Sequence, residues 1–308
     1  MRVIFWGSPQ IAVAPLETIC ESSGHQVVAV VCQPDRPKGR GRKLGEPPVK
    51  VAALRLGIPV LQPEKPRGEQ FLASLNTYEP DISVVVAYGH ILRPEVLDLP
   101  PHGSINLHAS ILPAWRGAAP IQRAVAAGDT EGGLTVIRMD EGMDSGDIYA
   151  VRQMSIGETE TSGELAARMS EEGGPLLVDT LDRIERGEIS PEPQDHSLAT
   201  FAPKISREEG RVDWSAPGKE VADKIRAFDP APGAWSTRDG APLKLFRPRV
   251  VEYSGAPGVA SQAEDGSLVV CCGSGAVALQ EVQAQGKRRM PAGDYLRGAS
   301  VADSEVLE

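Results

Sequence analysis

Ile82-Ser-Val-Val-Val-Ala87 runs directly into Tyr88-Gly89-His90. A near-continuous apolar run without alternation is the pattern of a strand buried on both faces. The flanking chain agrees with that reading. Arg2-Val-Ile-Phe-Trp6 is a short apolar run closed by Gly7-Ser8-Pro9, and a helix-compatible stretch follows from Gln10 to Glu21. Valine-rich Gln26 to Cys32 predicts another strand. Residues 33–48 hold Gly, Pro and basic residues without a period and predict a long loop. A helix from Val49 to Leu56, the strand Pro59-Val60-Leu61, a helix from Glu69 to Asn76 and a strand from Ile105 to His108 complete the pattern. This β-α-β-α rhythm predicts an α/β fold with a doubly wound, mostly parallel sheet. Ligands of such sheets lie outside the carboxyl ends of the strands. Three segments end there: Gly7-Ser8-Pro9, Tyr88-Gly89-His90, and the stretch that begins at Asn106.

Farther along, Leu134 to Met139 and Asp147 to Ser155 predict two strands around Asp140-Glu-Gly-Met-Asp-Ser-Gly146. Thr161 to Arg186 reads as a long helix, capped by Thr161 or Ser162 and closed by Gly187. Residues 188–210 are polar and proline-bearing, which suggests a first domain over 1–188, a linker over 189–207 and a second domain over 208–308. In the second domain the β-like runs Leu243 to Phe246, Leu268 to Cys272 and Ala276 to Gln280 are broken by Gly-rich turns, as in a small β-barrel. A length of 308 residues fits two domains.

No run approaches the roughly 20 apolar residues of a membrane helix. The amino terminus opens on a strand-like segment without a charged-then-apolar signal region, so a cytoplasmic location is expected. Cys20, Cys32, Cys271 and Cys272 form no C-x-x-C pair and suggest neither a disulfide framework nor a zinc site. The net charge of −10 argues against indiscriminate nucleic-acid binding. A local patch can still hold phosphate. Residues 33–50 carry six basic residues (Arg36, Lys38, Arg40, Arg42, Lys43, Lys50) against two acidic ones (Asp35, Glu46).

The most informative segment is Asn106-Leu-His-Ala-Ser-Ile-Leu-Pro-Ala-Trp-Arg-Gly-Ala-Ala-Pro-Ile121. Asn106 and His108 stand two apart on a strand, so both side chains leave the same face. An amide donor beside an imidazole suits a reaction in which an oxyanion develops while a nucleophile loses a proton. Spacing alone favours simple backbone satisfaction at a strand end. Asp144 lies in a Gly-flanked acidic turn, where a carboxylate can orient an imidazole and order a water. A solvated turn and a divalent-metal loop are the other readings, although the spacing does not match an EF-hand.

Taken together, Asn106-x-His108, Ser110-Ile-Leu-Pro113, Arg116-Gly117, Pro120-Ile121 and Asp144-Ser-Gly-Asp147 resemble the folate-dependent formyltransferases. Within that family the similarity is greatest to the members that formylate methionyl-tRNA. The long basic loop Gln33-Pro-Asp-Arg-Pro-Lys-Gly-Arg-Gly-Arg-Lys-Leu44 and a carboxyl-terminal domain with Gly286-Lys-Arg-Arg-Met290 carry the narrower likeness. One departure is Gly45-Glu-Pro-Pro-Val-Lys50, where the family commonly has a Pro-Ser-Pro-Val-Lys type sequence. The resemblance implies a Rossmann-like domain followed by an OB-like barrel. It implies transfer of formyl from 10-formyltetrahydrofolate to the α-amino group of methionyl initiator tRNA, with Asn106, His108 and Asp144 at the reacting centre and no metal. Ser110, Ile111, Leu112 and Pro113 are then expected at the folate, with Tyr88 to Leu92 opposite. Arg36, Lys38, Arg40, Arg42, Lys43, Lys287, Arg288 and Arg289 are expected at the tRNA, and the protein is expected to be a monomer.

Three other functions compete. A formyltransferase for a small amine, such as a ribonucleotide or an amino-sugar nucleotide, would share the reacting trio but need neither the basic loop nor the second domain. A dinucleotide oxidoreductase is disfavoured because Gly7-Ser8-Pro9 is not G-x-G-x-x-G. A pure tRNA-binding protein leaves Asn106, His108 and Asp144 unexplained.

Overall fold

Gly7 sits where no side chain fits. A Cβ there would lie 2.9 Å from both the Ala12 Cβ and the Val86 carbonyl oxygen, so the turn out of the first strand needs glycine. The computed structural model describes residues 1–38, 43–302 and 305–308, with Lys38 and Lys43 described by backbone alone. In chain order the first elements are β1 (Arg2–Gly7), α1 (Val13–Glu21), β2 (Gln26–Val31), β3 (Arg36–Lys38), β4 (Lys43–Gly45), α2 (Pro48–Arg55) and β5 (Val60–Leu61). Then come α3 (Glu69–Asn76), β6 (Ile82–Val86), α4 (Pro94–Leu97), β7 (Ser104–His108), α5 (Pro120–Ala127), β8 (Glu131–Arg138), β9 (Ile148–Ser155) and α6 (Ser162–Glu185). The last are α7 (Gly218–Ala227), β10 (Ala234–Arg238), β11 (Ala241–Val251), β12 (Ala260–Gln262), β13 (Leu268–Cys271), β14 (Ala276–Ala284), β15 (Met290–Pro291) and α8 (Ala292–Gly298).

The chain forms two compact units. The first comprises Met1–Ala118, Gly132–Met154 and Ala166–Ala202, and the second Ala119–Glu131, Ser155–Leu165 and Pro203–Glu308.

The first unit is built on a sheet of order β5-β2-β1-β6-β7-β8-β9. Pairing is parallel from β5 through β7, and β8 runs antiparallel to β7. All five residues of β6 are buried, as its unbroken apolar run requires. Ser83 is tolerated within that run because its Oγ accepts the Trp6 Nε1–H at 3.2 Å. Trp6 also meets Tyr88 edge-on, ring centres 5.2 Å apart. The winding reverses between β1 and β6, which puts the ligand crevice of such a sheet at their carboxyl ends. Ser8, Gln33 and Tyr88 meet there: the Gln33 N–H donates to Ser8 Oγ at 3.0 Å, and Gln33 Nε2 to the Tyr88 carbonyl at 3.2 Å.

One local difference from the sequence reading lies in the basic loop. β3 and β4 pair antiparallel as a short ribbon, Arg36 opposite Gly45 and Lys38 opposite Lys43. Three-residue strands are too short to leave an alternation in the sequence.

The second unit holds the antiparallel order β10-β11-β14-β13-β12, with β15 on β14. Its two edges are joined by the final residues. The Thr237 N–H donates to the Glu308 carbonyl at 2.7 Å, and the Leu307 N–H donates to the Gly258 carbonyl at 2.9 Å. Residues 305–308 thus bond both β10 and the start of β12, so neither edge is left open. Arg238 and Glu305 pair at 2.5 Å beside this closure, their side chains 6% and 15% exposed. The helices α7 and α8 were not expected. α7 buries Val221, Ala222, Ile225 and Ala227 and begins after Pro217, an amphipathic pattern that the short β-like runs around it masked. Thr161 is the cap of α6: its Oγ1 accepts the Glu164 N–H at 3.2 Å and its own N–H donates to Glu164 Oε2 at 2.9 Å. Among the described residues no helix is long and apolar enough to cross a membrane.

Candidate active site

β7 delivers Asn106 and His108 to one face, two residues apart, at the carboxyl end of the parallel run. The turn between β8 and β9 brings Asp144 to the same point. Asn106 Nδ2 donates to Asp144 Oδ1 at 3.4 Å, and His108 Nδ1 lies 3.5 Å from that same oxygen. The second carboxylate oxygen, Oδ2, accepts the Gly117 backbone N–H at 2.8 Å. His108 Nε2 is 2.9 Å from the Trp115 carbonyl. A carbonyl only accepts, so Nε2 carries a proton in this arrangement. The structure therefore brings together the three residues expected at the reacting centre.

Two non-glycine residues of this site have left-handed backbones, Trp115 with φ 60° and Asp144 with φ 53°. Such conformations persist where the surroundings hold them. Gly117 is itself at φ +125°, and a Cβ on it would lie 2.7 Å from the Ala202 carbonyl oxygen. The Arg116 and Ala202 backbones pair closely here, the Ala202 N–H donating to the Arg116 carbonyl at 2.7 Å. Asp140 braces its own turn, accepting from the Gly142 N–H at 2.9 Å and from the Ser145 hydroxyl at 3.0 Å.

Ser110-Ile-Leu-Pro113 forms a tight turn fixed by a fully buried hydroxyl. Thr135 Oγ1 donates to the Ser110 carbonyl at 2.7 Å and accepts the Leu112 N–H at 3.1 Å. The Ser110 hydroxyl is used inside the turn, on the Ala114 carbonyl at 2.6 Å. Leu112 is buried, whereas Ile111 and Pro113 are half-exposed. At the end of β6, Tyr88 Oη and His90 Nδ1 are buried and have no partner among the described residues. Burial pushes the Tyr88 phenol up, keeping it a neutral donor.

The model of the formyl transferase family matches residues 1–181, and that of the formyl transferase C-terminal domain matches residues 204–300. The chain belongs to the formyl transferase family. A methionyl-tRNA formyltransferase of Magnetococcus marinus is 46% identical over 306 residues, covering 99% of this chain and 98% of that protein. Another, from Citrifermentans bemidjiense, is 46% identical over 308 residues, covering 100% of this chain and 96% of the relative. Among solved structures, WlaRD, a sugar 3N-formyl transferase, aligns with a TM-score of 0.68 at 16% identity, covering 94% of this chain and 99% of that one, which is a likeness of fold.

The cations expected on the RNA side of this formyl transferase fall into different situations. Arg40 and Arg42 lie outside the described residues, as do the side chains of Lys38 and Lys43. Arg36 is exposed, with its guanidinium 3.4 Å from Gln33 Oε1. Lys50, counted in the same patch, is instead neutralised by Asp35 at 2.6 Å and Glu46 at 2.9 Å. Glu46 is the acidic residue of the Gly45-Glu-Pro-Pro departure, so its charge is spent on Lys50. Lys287 and Arg288 are exposed in the β14–β15 turn. Arg289 points elsewhere: it makes a bidentate pair with Asp229 at 2.6 and 3.0 Å, pairs with Glu281, and stacks 4.0 Å over the Phe246 ring. Its charge is satisfied inside the second unit.

Other members of the site were not predicted. Gln194 and Thr200 lie in the stretch expected as linker, yet both reach the turn that carries Gly117: Thr200 Oγ1 accepts the Trp115 N–H at 2.9 Å. No local pattern in that polar stretch marks them. A His/Asp/Glu cluster of metal-ligand spacing, His25, Asp182 and Glu185, occurs away from the trio. The Met1 ammonium already lies against it, 3.1 Å from Glu185 and 3.3 Å from His25 Nδ1.

Proposed function

We propose that this chain transfers the formyl group of 10-formyltetrahydrofolate to the α-amino group of methionyl initiator tRNA, acting as a cytoplasmic monomer in translation initiation. The observation that carries the reading is the convergence of Asn106 and His108 on one oxygen of Asp144, at the carboxyl end of the sheet. Relatives with that name share 46% of their residues with this chain over nearly their whole length.

The residues present fit a folate. Half-exposed Ile111 and Pro113 offer apolar surface, and Tyr88 Oη and His90 Nδ1, without a partner among the described residues, are buried groups suited to the polar edge of a heterocycle. When bound, the folate supplies the formyl carbon and a nitrogen leaving group. The chain's own groups then have distinct tasks. Asn106 Nδ2–H donates to the formyl oxygen as negative charge develops on it, joined by the His108 Nε2–H when it exchanges the Trp115 carbonyl for that oxygen. Asp144 fixes the imidazole and the Asn106 amide and takes part in moving the proton that the attacking amine loses toward the departing nitrogen. One C–N bond forms, one breaks, and one proton changes nitrogen.

For the tRNA, exposed Arg36 with its neighbours Lys38, Arg40, Arg42 and Lys43, and Lys287 with Arg288, are the proposed phosphate contacts. Arg289 has its charge satisfied by Asp229 and Glu281 and contributes by holding the turn.

The test supplies the purified chain with a donor labelled in its formyl carbon. Acceptors are methionyl initiator tRNA, uncharged tRNA and an amino-sugar nucleotide. Label on charged tRNA alone supports the proposal. Label only on the small amine would overturn it in favour of the small-amine enzyme.

A further inference from the structure

Gln194 is 5% exposed, and every polar atom of its amide is used. Its Oε1 accepts from the Arg116 guanidinium at 2.6 and 3.2 Å. Its Nε2 donates to the Asp144 carbonyl at 2.9 Å and to the Gly146 carbonyl at 2.6 Å. Arg116 is itself 6% exposed, and its backbone N–H donates to the Thr200 carbonyl at 2.9 Å. One buried amide therefore joins three segments: the turn that supplies the Gly117 N–H, the turn that supplies Asp144, and residues 192–202. The segment is anchored at both ends, Glu192 bridging Ile148 and Phe201 bridging Arg116. Asp140 braces Gly142 and Ser145, while the carbonyls of Asp144 and Gly146 are held by Gln194. Asp144 needs that grip, because a left-handed aspartate is costly unless its surroundings over-determine it.

We infer that Gln194 is a positioning residue for the transfer reaction, fixing the Asp144 backbone so that its carboxylate stays on Asn106, His108 and the Gly117 N–H. The inference rests on the formyl-transfer reading above. Gln194 touches no reacting atom and acts only through Asp144. Gln194→Glu isolates this role: it keeps an oxygen for Arg116 and replaces the donor by an acceptor that faces two carbonyls.

The experiment compares wild type, Gln194→Glu, Asp144→Asn and the double variant, with Gln194→Met as a second substitution should the glutamate prevent folding. Thermal melts, single-turnover rates and both KM values are measured with the labelled folate and methionyl-tRNA. In the wild-type background Gln194→Glu lowers the transfer rate about ten- to a hundredfold, the size expected of a displaced catalytic group. Both KM values stay within about twofold, since ground-state binding is untouched. In the Asp144→Asn background the same change has no further effect, because two residues on one path are non-additive. A wild-type rate in Gln194→Glu, or an equal loss in both backgrounds, would overturn the inference. A wild-type chain that formylates no tRNA defeats the functional reading before any variant is compared.

Discussion

Gly117 donates its backbone N–H to Asp144 Oδ2 at 2.8 Å, while Oδ1 of that carboxylate faces both Asn106 and His108. A single acidic side chain thus orients an amide and an imidazole and is itself held by the backbone. Each partner in that arrangement can be removed separately.

Asn106→Ala deletes one donor to the developing oxyanion. Loss of such a donor costs about 2.7–4 kcal/mol of barrier, so turnover falls roughly a hundredfold or more while folate KM changes little. Steady-state kinetics of the purified variant check this, and near-normal turnover removes Asn106 from the reacting centre.

Gly117→Ala tests the backbone side. The left-handed φ and the 2.7 Å approach of Ala202 O leave no place for a methyl group, so the turn must shift and Asp144 loses its N–H donor. Holding a non-glycine residue in such a conformation costs about 1–3 kcal/mol. A lower melting temperature together with a slower transfer rate is the expected pair of results.

Much of this was legible in the sequence, for reasons that differ by residue. The β6 run could be read because burial on both faces dictates apolarity at every position. The common face of Asn106 and His108 could be read because two-residue spacing on a strand fixes it, while their role came only with the wider motif. Asp144 is 38 positions from Asn106, and only the likeness of a whole motif placed it. Gln194 and the closure of the second sheet by residues 305–308 left no local trace. Both depend on which backbone groups tertiary folding leaves to be satisfied, and composition does not encode that. Arg289 shows another limit: the basic tripeptide that contains it gives no sign of the Asp229 carboxylate and Phe246 ring against which its guanidinium packs.

Replacing Arg36, Lys38 and Lys43 by glutamine raises KM for tRNA and leaves KM for folate unchanged. It also flattens the salt dependence, since each lost phosphate contact removes about 0.7–0.9 from the slope of log affinity against log salt. Initial rates across a salt series give both values.

Acid sensitivity has a local source in the second unit. Arg123, with the Ser206 N–H, holds the Glu209 carboxyl down from its usual 4.5 to about 2. A depressed folded-state value stabilises fully above the ordinary carboxylate range, and that stability is lost as pH falls through the folded value. Glu209→Gln therefore lowers the melting temperature near neutrality and narrows its drop between about pH 4.5 and about pH 2 relative to wild type.

Single-turnover formyl transfer by Asp144→Asn tests the central claim most directly. The substitution keeps the size of the side chain and removes the charge that Asn106, His108 and Gly117 share. The account predicts a rate at least about a hundredfold below wild type with an unchanged melting temperature and both KM values close to normal. A rate within about threefold of wild type would contradict it.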